Sequence, residues 1–322
     1  MRSALPGPAR DFVLVDGLIA FALELDGRVL FSRWDESSGL VFTSSASVGR
    51  GPRALARYSD GVVSADTAER TLSFLQTQGT AYVRVSQLRL PDGPIDVDSA
   101  DFDSNGRLDL AVATGLTLEA GAIRLLREVE GEFREAAVFA APGVERLMSG
   151  DVDGDGDVDL VGLLAGSDSV LVLHNDLGTL AQPERRPTCS SPRAASISDL
   201  DADRRPELSV ACRSGGLVIF PGAPRRAPAP YQRSGVLYDI TTLSVDLRPT
   251  LAIVDEQNHE LLLLIDPLAP TARVVSRPVG RGPIQVEAAD FDGDGDEDLA
   301  VLAFEARRFD VLINESQSSG GQ

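Results

Sequence analysis

The sequence has few of the residues that most often do chemistry in enzymes. Its 322 residues include only 2 histidines, 2 cysteines and 1 tryptophan, and aromatic residues make up 5% of the chain. No run of roughly 18 apolar residues occurs, so we expect no helix that spans a membrane. Lys and Arg number 30 against 49 Asp and Glu, a formal net charge of −19. A chain with this excess of acid lacks the basic patches that bind nucleic acid, which excludes nucleic acid as a partner.

The scarce residues also limit the kinds of site. His174 and His259 lie near no nucleophile motif, so surface or packing roles are favoured over catalysis. Cys189 and Cys212 are too few and too far apart for a zinc site. We expect them to form a disulfide in an exported protein, with two buried thiols as the alternative. The single Trp34 argues against repeated sugar-stacking sites.

Four acidic segments of nine residues repeat along the chain. They begin at residues 101, 151, 199 and 290, so their starts are 50, 48 and 91 residues apart. The last gap is nearly twice the others, and Thr242–Thr250 fills it as a copy that has lost its acids. Two short apolar stretches rich in branched residues follow each segment, as in Leu110–Ala113 and Ile123–Leu126. Such pairs, separated by turn residues, predict hairpin strands.

Two further units precede the acidic ones and carry a tight Asp-Gly turn instead, at Val15–Gly17 and at Ser59–Gly61. Seven units of about 46 residues predict an all-β chain, a seven-bladed β-propeller of four-stranded antiparallel blades. No fourth strand follows the last unit, so we expect the N-terminal strand to close the last blade. The predicted single domain covers 1–314, with a flexible tail at 315–322. The predicted blades are 8–50, 51–92, 93–141, 142–191, 192–234, 235–281 and 282–314 plus 1–7.

The acidic segments have the pattern of a metal-binding loop. Oxygen-bearing side chains stand at positions 1, 3, 5 and 9, position 6 is mostly glycine, and the carbonyl of position 7 is expected to point inward. Hard oxygen ligands in a flexible ring suit Ca²⁺ better than magnesium, zinc or copper. The predicted metal residues are Asp101, Asp103, Asn105, Arg107, Asp109, Asp151, Asp153, Asp155, Asp157, Asp159, Asp199, Asp201, Asp203, Arg205, Glu207, Asp290, Asp292, Asp294, Asp296 and Asp298.

The copies differ in how well they fit this pattern. We predict three calcium sites, at 101–109, 151–159 and 290–298, and expect the Thr242–Thr250 copy to be empty. Whether the 199–207 loop binds calcium is left open, because Arg204 replaces the glycine at position 6 and Glu207 replaces the last aspartate. Solvated Asp-Gly turns would explain one loop, but not three good copies at blade spacing. EF-hands are excluded because the flanks are strands and position 12 carries no Glu.

The loop D-x-D-x-D-G-x-x-D followed by an apolar strand resembles the FG-GAP/VCBS repeat family, the blade type of integrin α-subunit heads. The resemblance covers nearly the whole chain at the level of repeats, and it implies that each calcium loop joins the first two strands of a blade. It also implies a calcium-stabilised, extracellular binding or adhesion scaffold. A propeller enzyme, such as a polysaccharide lyase, and an orphan structural module of a surface assembly remain alternatives.

The expected partner is a protein or glycan, and the expected state is a monomer. We expect an extracellular, cell-surface or periplasmic location. The first residues lack the apolar core of a signal peptide, so the leader is expected to be absent from this chain, with a cytosolic protein as the alternative. A basic rim is expected on the face opposite the loops, either for an acidic partner or as solvated turn charges: Arg50, Arg53, Arg281, Arg307 and Arg308.

Overall fold

A computed structural model describes residues 1–59, 61–115, 117, 119–222 and 229–315. Over these ranges the chain is all-β, and its only helical element is one 3-10 turn, Ala165–Ser167. The strands form seven four-stranded antiparallel sheets arranged as a seven-bladed β-propeller, which confirms the predicted fold. A two-stranded ribbon, Asn175–Asp176 with Thr179–Leu180, adds to these sheets. In the described part of the chain, no helix is long and apolar enough to cross a membrane.

The first three blades follow one another along the chain, and each sheet is built in sequence order. Blade 1 contains Ala9–Val15, Leu18–Leu23, Arg28–Asp35 and Gly39–Ser47. Blade 2 contains Pro52–Tyr58, Gly61–Asp66, Thr71–Gln78 and Ala81–Arg89. Blade 3 contains Pro94–Ala100, Asp109–Thr114, Ala122–Val129 and Glu132–Ala140.

The remaining blades keep the same order, except that the last one takes its fourth strand from the N-terminus. Blade 4 contains Val144–Gly150, Asp159–Leu164, Ser169–Leu173 and Glu184–Pro187. Blade 5 contains Pro192–Ser198, Glu207–Cys212, Gly216–Phe220 and Ala229–Gln232. Blade 6 contains Leu237–Val245, Arg248–Asp255, Glu260–Ile265 and Arg273–Pro278. Blade 7 contains Pro283–Ala289, Asp298–Ala303, Arg308–Leu312 and Arg2–Ala4.

The N-terminal strand closes blade 7, as predicted. Arg2 pairs with Asp310 and Ala4 with Arg308, and the Leu5 N–H donates to the Arg307 carbonyl at 2.8 Å. This pairing gives the third strand of blade 7 a partner on its outer edge, where a free row of backbone groups would invite aggregation. Of the predicted tail 315–322, residues 316–322 lie outside the described residues.

By packing, the chain divides into two compact parts. One comprises Gly7–Arg33 and Leu40–Pro192, and the other Met1–Pro6, Trp34–Gly39 and the chain from Arg193 onward. In both parts, apolar side chains from successive sheets form common core clusters, one containing Phe31 and Leu75 and another containing Leu217 and Leu251. The second strands of blades 2, 3, 4, 5 and 7 are buried along their whole length. Burial on both faces explains why these strands read as continuous apolar runs rather than alternating ones.

Buried aspartates on the first strands tie neighbouring blades together within each part. The Asp96 carboxylate accepts the Leu147 N–H at 2.7 Å, and the Asp11 carboxylate accepts the Leu55 N–H at 2.6 Å. In the other part, Asp239 accepts the Val286 N–H at 3.0 Å. Hydrogen bonds to a buried charge contribute about 1.5–3 kcal/mol each.

Blades 1 and 6 have a two-residue hairpin turn in place of an acidic loop. In blade 6 this turn is Asp246–Leu247, with φ of 51° and 60°, so the Thr242–Thr250 copy is strand and turn rather than an open loop. Blade 1 has Asp16–Gly17 with φ of 47° and 72°. Two consecutive positive φ values are typical of type I′ turns, which match the twist of a hairpin. The blade 2 turn includes Asp60, which lies outside the described residues.

Candidate metal centres

The four acidic loops occupy equivalent places in blades 3, 4, 5 and 7. In each blade, position 1 of the loop directly follows the first strand and position 9 is the first residue of the second strand. Because the flanking strands are paired, the two ends of each loop are held side by side. The pairs that close the loops are Ala100 with Asp109, Gly150 with Asp159 and Ala289 with Asp298.

The aspartate at position 1 curls each loop. In blade 4, Asp151 accepts the N–H groups of Gly154 at 2.6 Å and Gly156 at 3.0 Å. In all four loops the position-1 carboxylate accepts the N–H of position 6 together with that of position 4 or 5. The position-5 side chain then accepts the N–H of position 7 at 2.8–2.9 Å. These local bonds turn the side chains at positions 1, 3 and 5 toward one centre.

Two positions of each loop adopt the left-handed backbone conformation. Position 6 has φ of 82°, 95° and 92° at Gly106, Gly156 and Gly295, as its glycines predict. Position 4 is left-handed as well, which the sequence analysis missed. In blade 5, Ala202 and Arg204 hold these two positions with φ of 60° and 67°. The 199–207 loop therefore has the same turn as the others, with strain at two residues that carry a Cβ.

Carboxylate oxygens converge in three of the loops. The position 1, 3 and 5 side chains of 151–159, 199–207 and 290–298 each offer an oxygen, and within each loop these oxygens lie within 4.8 Å of one another. In 101–109, the position-5 ligand is the amide of Asn105. Position 7 was predicted to turn its carbonyl inward, and in blade 4 its side chain makes a contact as well: the Asp157 carboxylate accepts the Leu177 N–H at 2.8 Å.

The position-9 acid is buried and links the loop to the residues directly after the third strand of its blade. Asp159 accepts the Val152 N–H at 2.8 Å and the Asn175 N–H at 2.7 Å. Asp298 does the same with Phe291 and Asn314, and Glu207 with Leu200 and Gly222. Asn175 and Asn314 therefore belong to the candidate sites, although the sequence analysis did not single them out. Both asparagines lie 16 residues after the last acid of their loop, and this shared spacing is the sequence feature that could have identified them.

Burial opposes the negative charge of the position-9 acids in blades 3, 4 and 5. It raises the pKa of Asp109 to about 6, with a further contribution from the charge of Asp103. Burial also raises the pKa of Asp159 and of Glu207 above their usual ranges, and neighbouring loop aspartates add to the shift. A group whose charged form is disfavoured in this way is one that a bound cation would stabilise.

The residue next to each loop on the third strand differs from blade to blade. Leu110 pairs with Leu126, Leu160 with Leu173, Leu208 with Phe220 and Leu299 with Leu312. The residues that follow these partners, beside the position-9 acid, are Arg127, His174, Pro221 and Ile313. Two loops therefore have a basic side chain at this place and two have none.

The donor chemistry of the loops fits calcium. It consists of carboxylate, amide and carbonyl oxygens, which are the ligands that Ca²⁺ prefers. In the 101–109 loop, Asp103 Oδ1 and Asp109 Oδ2 are buried and have no hydrogen-bond partner among the described residues. Arg127 Nε lies 3.7 Å from Asp103 Oδ2 and 3.9 Å from Asp109 Oδ2, so a guanidinium already compensates part of the charge in this loop.

The other residues that the sequence singled out make contacts that support the fold. His259 Nδ1 accepts the Gly282 N–H at 3.2 Å, with φ of 58° at His259. Trp34 is half-buried, and its ring packs edge-on against Phe291 and Phe309. In the predicted basic rim, Arg281 pairs with Glu305 at 3.2 Å and Arg308 with Asp310 at 2.5 Å, so acids neutralise part of it. Neither cysteine is a free thiol, and Cys189 and Cys212 are both disulfide-bonded.

Comparison with known proteins places the chain by fold alone. No family model and no curated protein matches the sequence. The hydrazine synthase of Kuenenia stuttgartiensis superposes with a TM-score of 0.71 at 15% identity, covering 98% of both chains. Virginiamycin B lyase from Staphylococcus aureus gives 0.65 at 13% identity, with 97% of this chain and 98% of that one covered. The WD40 β-propeller of Doa1 gives 0.64 at 11% identity, with 98% and 96% covered.

Proposed function

We propose that this chain is a calcium-stabilised β-propeller of the FG-GAP/VCBS type that serves as an extracellular binding scaffold. The observation that supports it most directly is the shared geometry of the loops. Four loops in different blades have the same turn, and three of them gather carboxylate oxygens within 4.8 Å of one another. Several carboxylates in so small a space repel each other by roughly 1 kcal/mol or more per pair at surface dielectric.

The residues that would hold calcium are the side chains at positions 1, 3, 5 and 9, together with the carbonyl of position 7. When bound, the ion supplies positive charge and oxygen coordination, which removes the repulsion among the acids. The chain's own contribution is to hold the oxygens in place through the position-1 and position-5 hydrogen bonds. Because position 9 joins the loop to the residues directly after the third strand, an ion here would stabilise the first three strands of a blade together.

A scaffold function is favoured over catalysis by the surroundings of the two histidines. His174 faces loop acids, and His259 accepts a backbone N–H within a turn. The resemblance to virginiamycin B lyase is one of fold, since the identity is 13%. The extracellular location and the protein or glycan partner also belong to this proposal. They are supported by the disulfide-bonded cysteines and by the higher calcium concentration outside cells, where modules bind Ca²⁺ at about 10⁻⁴–10⁻³ M.

The proposal is tested by calcium titration and by thermal unfolding of the full chain after treatment with EDTA. We expect calcium uptake by titration calorimetry and a melting temperature several degrees higher with calcium. One site at a hundredfold excess of ligand over Kd stabilises the folded state by about 2.7 kcal/mol. In the blade 7 loop, Asp292→Ala should abolish one equivalent of binding and its share of the stabilisation.

The matched control is Asp246→Asn, which removes an acid from the equivalent hairpin turn of blade 6. Asparagine tolerates the left-handed conformation that Asp246 adopts, so this variant should bind calcium as the native chain does. No calcium uptake, or a melting curve that is the same with EDTA and with calcium, would refute the proposal.

A further inference from the structure

The loop of blade 4 differs from the other three in having an imidazole nitrogen among its oxygens. His174 directly follows the third strand, Ser169–Leu173. Its Nδ1 lies 3.1 Å from Asp153 Oδ2 and 3.7 Å from Asp159 Oδ2. This nitrogen is shielded from solvent and makes no hydrogen bond within the described residues. A shielded ring nitrogen therefore faces two carboxylates of the loop at once.

These separations suit two or three ligands of one small dication. Nitrogen and oxygen ligands stand about 2.1 Å from zinc, so two of them are roughly 3.0–3.4 Å apart at angles of about 90–110°. The distance from Nδ1 to Asp153 falls in this range, and the distance to Asp159 exceeds it by a few tenths of an ångström. Asp159 is fully buried, and its backbone hydrogen bonds to Val152 and Asn175 hold its carboxylate in position.

The far side of the imidazole faces the carboxylate that a metal-binding histidine needs. Nε2 lies 3.6 Å from Glu184 Oε2, on the fourth strand of the same blade. Arg186 holds Glu184 through two N–H donations, at 2.9 and 3.0 Å, and its Nη2 lies 3.4 Å from Nε2. In metal sites a carboxylate on the far nitrogen orients the ring and leaves the near nitrogen free to coordinate.

The other loops provide the comparison. At the place of His174 they have Arg127, Pro221 and Ile313, none of which offers a neutral nitrogen ligand. Imidazole with carboxylate suits zinc, nickel and other first-row dications, whereas all-oxygen sets suit calcium and magnesium. The difference between the blades is therefore one of metal preference.

We propose that the blade 4 loop binds a divalent transition-metal ion in preference to calcium, with Asp153, Asp159 and His174 as ligands and Glu184 as a positioning residue. This inference rests on the proposed function to the extent that the loop folds around a cation. It adds that this one centre takes a different class of metal from the all-oxygen loops.

The test is a zinc titration of the EDTA-stripped full chain in excess calcium, which fills the oxygen loops. We expect one equivalent of zinc to bind to the native chain. His174→Ile copies the residue at position 313 and should weaken zinc binding by about a hundredfold or more, while calcium binding by blade 7 stays unchanged. Glu184→Gln should weaken zinc binding about tenfold, the usual effect of losing an outer partner. Cobalt gives a second readout, because a nitrogen ligand alters its visible absorption.

Two matched variants separate this site from adventitious binding. His259→Gln removes the only other histidine and should leave the zinc equivalent in place. Ile313→His adds the nitrogen to the blade 7 loop and should create a second zinc equivalent there. If His174→Ile fails to fold, as judged by circular dichroism, His174→Gln replaces it.

The outcomes separate the two proposals. Zinc affinity unchanged by His174 substitution, or no zinc bound in excess calcium, overturns the blade 4 assignment and leaves calcium binding by the other loops intact. Zinc bound through His174 with no calcium uptake anywhere overturns the proposed function and supports the blade 4 assignment.

Discussion

Arg127 places a fixed positive charge beside the 101–109 loop, and its replacement tests whether side chains next to a loop control its calcium affinity. Arg127 Nε lies within 3.9 Å of oxygens from both Asp103 and Asp109, and Arg127 also donates to the Gly178 carbonyl. A calcium ion among the same carboxylates would have to approach this guanidinium. Arg127→Gln keeps a hydrogen-bond donor and removes the charge.

The size of the effect follows from Coulomb's law. A unit charge and a dication about 5 Å apart repel each other by roughly 1.7 kcal/mol at the dielectric constant of water. The repulsion is about twice as large where the dielectric constant is half that of water. The Arg127 side chain is 30% exposed, so solvent and salt screen the interaction and the lower figure applies. We expect Arg127→Gln to tighten calcium binding at this loop by about 1–2 kcal/mol, or roughly five- to thirtyfold in Kd.

The assay is titration calorimetry with Asp153→Ala and Asp292→Ala in the background, so that the loops of blades 4 and 7 are silent. Ile313→Arg, tested with the blade 7 loop intact, should weaken that loop by a similar factor. Arg124→Gln is the control, because Arg124 lies on the same strand and pairs with Glu135 instead of a loop acid. A Kd within twofold of the native value for both Arg127→Gln and Ile313→Arg would refute the reasoning.

Two further predictions concern strain and pH. Arg204→Gly should stabilise the chain by about 0.5–1 kcal/mol in urea unfolding and tighten calcium binding in blade 5, because it relieves a left-handed residue and removes a positive charge. Arg205→Gln, which removes a charge without relieving the backbone, should not raise the stability, and equal stability changes in the two variants would contradict the strain argument. Burial raises the pKa of Asp66 despite hydrogen bonds from Ser73 and Ser64. The folded state therefore binds a proton more readily than the unfolded state above about pH 4, and this part of the stability falls as pH rises through the raised value. Asp66→Asn should flatten that dependence in melting curves recorded between pH 4 and 7 with EDTA, and an unchanged slope would show that another group causes it.

Much of the fold could be predicted because the loops and turns mark the repeat. Acids at alternating positions, with glycine at position 6, locate the start of the second strand in blades 3, 4, 5 and 7. The Asp-Gly pair at Asp16 marks the same point where no loop exists. The left-handed conformation at position 4 was missed because two loops have Ser104 and Ala202 there, and neither residue type indicates that conformation as glycine does.

The neighbours of the loops could not be predicted from sequence spacing. Arg127 lies on the third strand and His174 directly follows it, and both reach the loop acids only because of the register between the second and third strands. The sequence analysis assigned His174 to a surface or packing role, since nothing near it along the chain pairs with it. Whether a histidine lies beside two aspartates depends on strand pairing, and a slip of one residue would turn its side chain to the opposite face.

The three-residue strand Arg2–Ala4 has a consequence for the order of folding during synthesis. It is made before the other strands described here, and its partner, Arg308–Leu312, is made about 300 residues later. At about 5–20 residues per second, this strand waits at least 15 seconds before its pairing partner exists. Closing so large a loop is slow, because its entropy is lost before the new contacts form. Until Arg308–Leu312 has been made, the N-terminal strand has no pairing partner in the blade that carries the 290–298 loop.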